Sequence, residues 1–260
     1  MPTRDRQGWR REGDEFHVAW ADADRAFGFA DGRAGLLRRG TPGPFLSLVG
    51  LAAVGRREEG SFTAATLAEI DVVHGRLLAT FKPPGWHDLV VRAGWGLCRE
   101  GKGMDLEIQA TASSVGKLRR LEILAEARPR LGEALDAEPR LFVEPRDRVA
   151  AGSSYDGRES DSVLARLTTL EVGRRSAADA PDVAPAPDPY LELAHPDDAA
   201  RTIRPQPGGG GSILYAFFGF DLEKGVVLRG RLRGVFLADP SAWRGERERF
   251  LDEPPPLRTS

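Results

Sequence analysis

Three groups of residues in this sequence have the types and the spacing to do chemistry. The first is His195-Pro196-Asp197-Asp198, directly after the apolar run Tyr190-Leu-Glu-Leu-Ala194. An imidazole and two carboxylates at a strand end can hold a divalent ion or exchange protons with a substrate. The competing reading is a polar turn in which an aspartate caps the start of the next element. The second group is Trp86-His87-Asp88, with Trp95 at the far end of the next run and Trp20 on an early one. A sugar stacks its axial C–H groups on an indole while imidazole and carboxylate take its hydroxyls. Tryptophan in a β-rich chain also fills cores, but Pro83-Pro84-Gly85 places Trp86 in a loop, where an exposed ring has fewer structural reasons to exist. The third group is Arg229, Arg231 and Arg233, a row along one strand face that suits a carboxylate or phosphate. Its competing reading is a solvated face covered by cross-strand Asp or Glu.

Other chemistries are excluded by what the chain lacks. The glycine run 208–211 is not followed by Lys-Ser/Thr and a helix start, so it is no phosphate loop. Ser113-Ser114 and Ser153-Ser154 have no nucleophile elbow around them, and Cys98, the one cysteine, has no His/Asn framework. A single cysteine also rules out an internal disulfide and any multi-cysteine metal site; no cofactor is expected. Lys plus Arg is 37 against 39 Asp plus Glu, a net charge of −2, which argues against nucleic-acid and anionic-membrane partners. The charged N-terminus lacks a signal-peptide core and the longest apolar stretch, 45–54, is too short to span a bilayer, so the expected location is cytoplasmic. Asparagine is absent and nearly all cationic charge is arginine, the mark of a GC-rich coding bias.

The elements that must position these groups are strands. In 104–112, Met104, Leu106, Ile108, Ala110 and Ala112 alternate with Asp105, Glu107, Gln109 and Thr111, which predicts one buried and one more exposed face. In 226–236, Val226, Leu228, Leu232 and Phe236 oppose the three arginines, and Gly230 and Gly234 on the apolar face predict close packing or a bulge. Val73-His74-Gly75-Arg76 predicts a tight hairpin with Gly75 at positive φ. With runs near 16–21, 45–54, 88–95, 118–126, 163–172, 190–194 and 213–219, about ten strands are expected. Their connections are too short for parallel crossovers, so the fold class is all-β, an antiparallel β-sandwich. Asp239-Pro240 starts a short C-terminal helix that ends before Pro254, and 130–137 suggests a further helical turn. Segments 174–189 and 205–212 read as long loops within one domain spanning 1–260.

Val90-Val-Arg-Ala-Gly-Trp95, then Gly103-Met-Asp-Leu-Glu-Ile-Gln-Ala-Thr-Ala-Ser-Ser114 and Leu121-Glu-Ile-Leu124, resemble the meander strands of galactose-mutarotase-like β-supersandwich domains of the aldose-epimerase superfamily. In that superfamily an aspartate, aliphatic, x, aliphatic rhythm lies beside the sugar site. The resemblance implies a carbohydrate ligand and an acid–base pair of histidine and glutamate on separate strands, for which His87 or His195 and Glu107 or Glu192 are the candidates. Trp86, Asp88, Trp95 and Arg231 are then expected to bind the sugar. The alternatives are a non-catalytic protein-interaction module, docking through 213–220, which is apolar on both faces, and a metal-dependent hydrolase using His195, Asp197 and Asp198.

Overall fold

The computed structural model describes residues 8–20, 23–38, 43–56, 60–86, 89–98, 101–113, 117–127, 140–143, 163–170, 188–195, 197–203 and 213–253, with 140–143, 163–170 and 188–189 as backbone alone. The described residues form sixteen strands. The first five are β1 (Arg10–Glu12), β2 (Glu15–Trp20), β3 (Ala23–Ala30), β4 (Arg33–Leu37) and β5 (Phe45–Ala52). Then come β6 (Leu67–Val73), β7 (Arg76–Phe81), β8 (Leu89–Cys98), β9 (Gly103–Ala112) and β10 (Lys117–Glu126). The rest are β11 (Arg140–Val143), β12 (Val163–Leu170), β13 (Asp188–Ala194), β14 (Ala199–Ile203), β15 (Leu214–Glu223) and β16 (Val227–Phe236), followed by helix α1 (Trp243–Asp252).

Two antiparallel eight-stranded sheets result, ordered β1-β2-β3-β4-β5-β10-β15-β14 and β11-β12-β13-β16-β9-β8-β7-β6. They pack face to face as a sandwich, because each sheet has one apolar face and must bury it. Cross-sheet bonds fix the seam: Trp95 Nε1 donates to Leu46 O at 2.7 Å, Tyr190 OH to Ala127 O at 2.7 Å, and Tyr215 OH to Glu192 Oε2 at 2.9 Å. The core runs through both sheets, from Trp20, Phe45, Leu48, Ile123 and Phe217 to Trp95, Leu106, Ile108, Tyr190 and Leu232. The glycines of β16 serve that contact: a Cβ on Gly230 would sit 2.6 Å from the Phe217 ring, and one on Gly234 would collide with the Tyr190 hydroxyl.

The hairpin between β6 and β7 turns on His74 and Gly75, at φ 50° and 75°, the paired positive φ of a two-residue loop matched to strand twist. Asp239 caps the C-terminal segment as the sequence predicts, its Oδ1 accepting from Ser241 N at 2.8 Å. A single turn over Pro240–Ala242 leads into α1. No helix among the described residues is long and apolar enough to cross a membrane.

Three expectations need correction. There are more strands than ten, because short edge strands such as β1 and β14 carry no clear alternation. Strand β13 starts at Asp188, inside the span read as loop. Most importantly, the polar face of β9 is not exposed: Glu107 is 2% and Asp105 4% accessible. Residues 130–137, 174–187 and 205–212 lie outside the described residues.

Candidate functional site

The register of three central strands assembles a charged cluster on the outer face of the second sheet. Across β9 and β16, Arg231 stands directly opposite Glu107, and Arg233 opposite Asp105. On the other side of β9, Gly94 and Gly96 of β8 face the same two carboxylates, and Arg76, the first residue of β7, faces Gly96. Gly96 leaves room for one of the pairs: a Cβ there would lie 2.5 Å from Arg76 Nε, and its absence lets that side chain lie across β8 and pair with Glu107. Arg233 grips Asp105 as a fork, Nε to Oδ1 at 2.6 Å and Nη2 to Oδ2 at 2.8 Å, the planar match that makes guanidinium–carboxylate pairs strong.

Helix α1 lies over this face. Phe250 is stacked under Arg231 and Arg233, whose guanidinium carbons are 4.2 and 5.0 Å from its ring centre. Beside it Leu191, Leu193, Val235 and Leu237 make a small apolar cluster with Phe250. Arg231 Nη2 donates to the carbonyls of Phe250 (2.8 Å) and Glu253 (3.3 Å) at the helix end. Glu253 Oε2 accepts from Arg233 Nη2 at 2.5 Å and Arg231 Nη1 at 3.4 Å.

At the margin, the turn after β13 adds His195 and Asp198. Asp198 Oδ2 accepts from the Arg231 N–H at 3.2 Å, just past the last residue at which β16 pairs with β13, so the carboxylate takes over where the ladder stops. Burial raises the Asp198 pKa, against the lowering pull of His195, the Arg231 N–H and the Arg231 charge. Burial lowers the pKa of Arg231 and of Arg76, with Asp105 opposing it in both. Burial works the same way on Arg233, but its hydrogen bonds to Asp105, the Asp105 charge and Glu253 outweigh it and raise that pKa. The cluster is therefore held by charge pairing in a desolvated setting, where a lost partner is costly.

Of the residues singled out in the sequence, Glu107, Arg231, Arg233, His195 and Asp198 belong to this face. Trp86, Trp95 and Glu192 do not join them. Glu192 is fully buried between the sheets, bonded to Tyr215. Trp95 is fully buried too, its indole N–H spent on Leu46 O. Trp86 is 1% exposed with the Arg56 guanidinium over its ring, 5.6 Å from the centre, so the loop that carries it tucks the ring into the core and offers no face to a solute. His87 and Asp88 lie outside the described residues. In the Arg229–Arg233 row, Arg233 is paired with the cross-strand Asp105 as one reading of the sequence had it, while Arg229 stands opposite Gln109, and Arg231 and Arg233 are buried rather than solvated. His195 Nδ1 accepts from Asp197 N at 3.3 Å, a polar turn, and no three metal-ligating side chains come together among the described residues.

Sequence reasoning missed Arg76, Asp105 and Glu253 as site residues. Gly94-x-Gly96 facing Asp105-x-Glu107 was the available signal, because alternate glycines in a strand mark a place where something lies close across it. The apolar stretch 213–220 is largely buried, with Phe220 the exposed member at 56%.

No protein-family model matches the chain, and no curated protein matches it. Among solved structures it is similar to 4-alpha-glucanotransferase from Thermococcus litoralis, at 9% identity and a TM-score of 0.37. The match covers 87% of this chain and 40% of that one, so the chain spans less than half the length of that protein.

Proposed function

We propose that the chain is a carbohydrate-recognising β-sandwich protein whose site is the outer face of β9 and β16. The observation that carries this reading is the convergence of Asp105 and Glu107 with Arg231 and Arg233 on one desolvated sheet face. Sugar hydroxyls both donate and accept, so they suit a surface where carboxylates and guanidiniums alternate. Asp105 and Glu107 of the stretch that resembles the supersandwich strands lie on this face, while Leu106 and Ile108 between them point into the core. Recognition is then polar rather than by tryptophan stacking. A mutarotase-type proton exchange at the anomeric centre would draw its acid from His195 and its base from Glu107, the two candidates that border this face.

A second reading, a protein-interaction module, is favoured by Phe220, Val226 and Val227, exposed around the turn between β15 and β16. A glycan array and a panel of simple aldoses separate the two. The carbohydrate reading expects binding that Glu107→Gln weakens by about 1–3 kcal/mol with the fold intact. Properly folded protein that binds no glycan and anomerises no aldose moves the weight to the protein-partner reading.

A further inference from the structure

Three arginines, Arg76, Arg231 and Arg233, meet two carboxylates, Asp105 and Glu107, where β7, β9 and β16 come together. Arg233 pairs with Asp105 and Arg76 with Glu107, and among the described residues Arg231 makes its ion pair with Glu253 rather than with a carboxylate of the sheet. Asp198 lies at the backbone N–H of Arg231 and makes no hydrogen bond to its guanidinium. The missing negative charge comes from the end of α1. The Glu253 carboxylate bridges Arg233 and Arg231, at 2.5 and 3.4 Å, and Arg231 completes its bonds on two carbonyls of the last helical turn. Even so, Arg231 Nε and Arg233 Nη1 are buried with no hydrogen-bond acceptor among the described residues. Two buried guanidiniums, side by side, hold one carboxylate that belongs to a separate element.

That element owes its place to docking, so a ligand that supplies the same carboxylate can take over its bonds. Helix α1 has ten residues and one fully buried side chain, Phe250. A helix so short is not stable by itself, so it stays only because it is docked, and docked elements of this size open at low cost. The Glu253 side chain is 33% exposed, which puts the bridging carboxylate at the boundary with solvent, where a competing anion can reach it.

We propose that Arg231 and Arg233 form a carboxylate-binding site, filled in this structure by the protein's own Glu253, whose external ligand is a sugar acid of the uronate class. This rests on the carbohydrate reading above and adds the substrate class to it. A uronate carries the carboxylate that Glu253 now supplies, on a ring whose hydroxyls suit Glu107, Asp198 and His195 alongside. Ligand and helix end compete for the same two guanidiniums, so binding displaces Glu253 from its bridge.

The test is calorimetric titration of the full chain with galacturonate and glucuronate, with galactose and glucose, and with acetate as a plain carboxylate. Wild type, Glu253→Gln and Arg231→Gln are compared, their folding checked by circular dichroism. The expected result is uronate binding at least about tenfold tighter than binding of the neutral sugars or acetate. Glu253→Gln should tighten uronate binding severalfold, since it removes the internal competitor, and Arg231→Gln should erase the preference for uronates over neutral sugars. Neutral sugars binding as well as uronates would overturn this inference while the carbohydrate reading stood. Acetate binding as well as uronates would overturn the sugar class, and an unchanged affinity in Glu253→Gln would overturn the displacement. No binding of any sugar by folded protein would overturn both readings. Glu253→Gln serves even if Arg231→Gln fails to fold, because its side chain is partly exposed.

Discussion

Arg25 puts a guanidinium into the apolar core, and the magnitudes decide what it is worth there. Burial lowers its pKa from 12.5 to about 10, which at 1.36 kcal/mol per unit corresponds to a penalty of about 3 kcal/mol for the charged form. Its Nε and Nη1 meet no acceptor among the described residues. Against this stand the rings of Trp20, Phe45 and Phe236, at 4.6, 4.7 and 5.7 Å from the guanidinium carbon, each contributing about 1 kcal/mol of cation–π attraction. The two effects nearly cancel. Arg25→Met, which keeps the volume, should therefore shift unfolding in urea by less than about 2 kcal/mol, whereas Arg25→Ala leaves a cavity and should cost about 2–5. Equal losses would mean that the charge has a specific partner. Asp198 gives a pH test with a definite sign. Its pKa is raised in the folded protein, chiefly by burial, so the fold favours the protonated acid. That favour is fully present below the unfolded value of about 3.9 and is lost as pH rises through the folded pKa. Asp198→Asn, uncharged and still able to accept from the Arg231 N–H, should raise the melting temperature at neutral pH. The gap should close as pH falls below about 4; a gap that widened on acidification would refute the assignment.

Strands β9 and β16 show how far element-level reading of the sequence goes. The alternation of 104–112 and 226–236 is visible in the chain, and both runs are strands with the expected inner faces: Leu106, Ile108 and Leu232 are buried. What the alternation cannot carry is the burial of the other face. Asp105 and Glu107 read as solvent-facing because carboxylates usually are. The arginines that neutralise them come from β7 and β16, and the helix that covers them lies at the far end of the chain, contacts that no local pattern encodes. The burial of Trp86 was hidden for a related reason, since Pro-Pro-Gly marks a turn without saying which way its next side chain points. The double burial of β9 makes a measurable claim. Ile108→Ala should cost about 2–5 kcal/mol, and Glu107→Ala should cost about as much because it strands Arg76 in a desolvated setting, while the less buried Gln109→Ala should cost less than about 1. A Glu107 cost as small as that of Gln109 would mean the outer face is open to water.

At the scale of the molecule, the two sheets divide the labour. The seam between them holds every described tryptophan but Trp243, and Tyr190 and the Tyr215–Glu192 pair bond across it. The charged cluster lies instead on the outer face of the second sheet, beneath α1. The sandwich class was legible in the chain because period-two runs and short turns leave few other solutions. The candidate site is legible in the chain only in part: Arg231, Arg233, Glu107, His195 and Asp198 stand out by type, whereas their convergence depends on β9, β13 and β16 being neighbours in the sheet. The central claim is that this outer face binds carbohydrate, and hydrogen–deuterium exchange with and without galacturonate and galactose tests it most directly. The account predicts that sugar alters exchange in the peptides covering 103–109, 195–203, 229–236 and 243–253 and leaves the core of the first sheet unchanged. Altered exchange confined to the peptides around Trp86, or none at all with folded protein and saturating sugar, would contradict it.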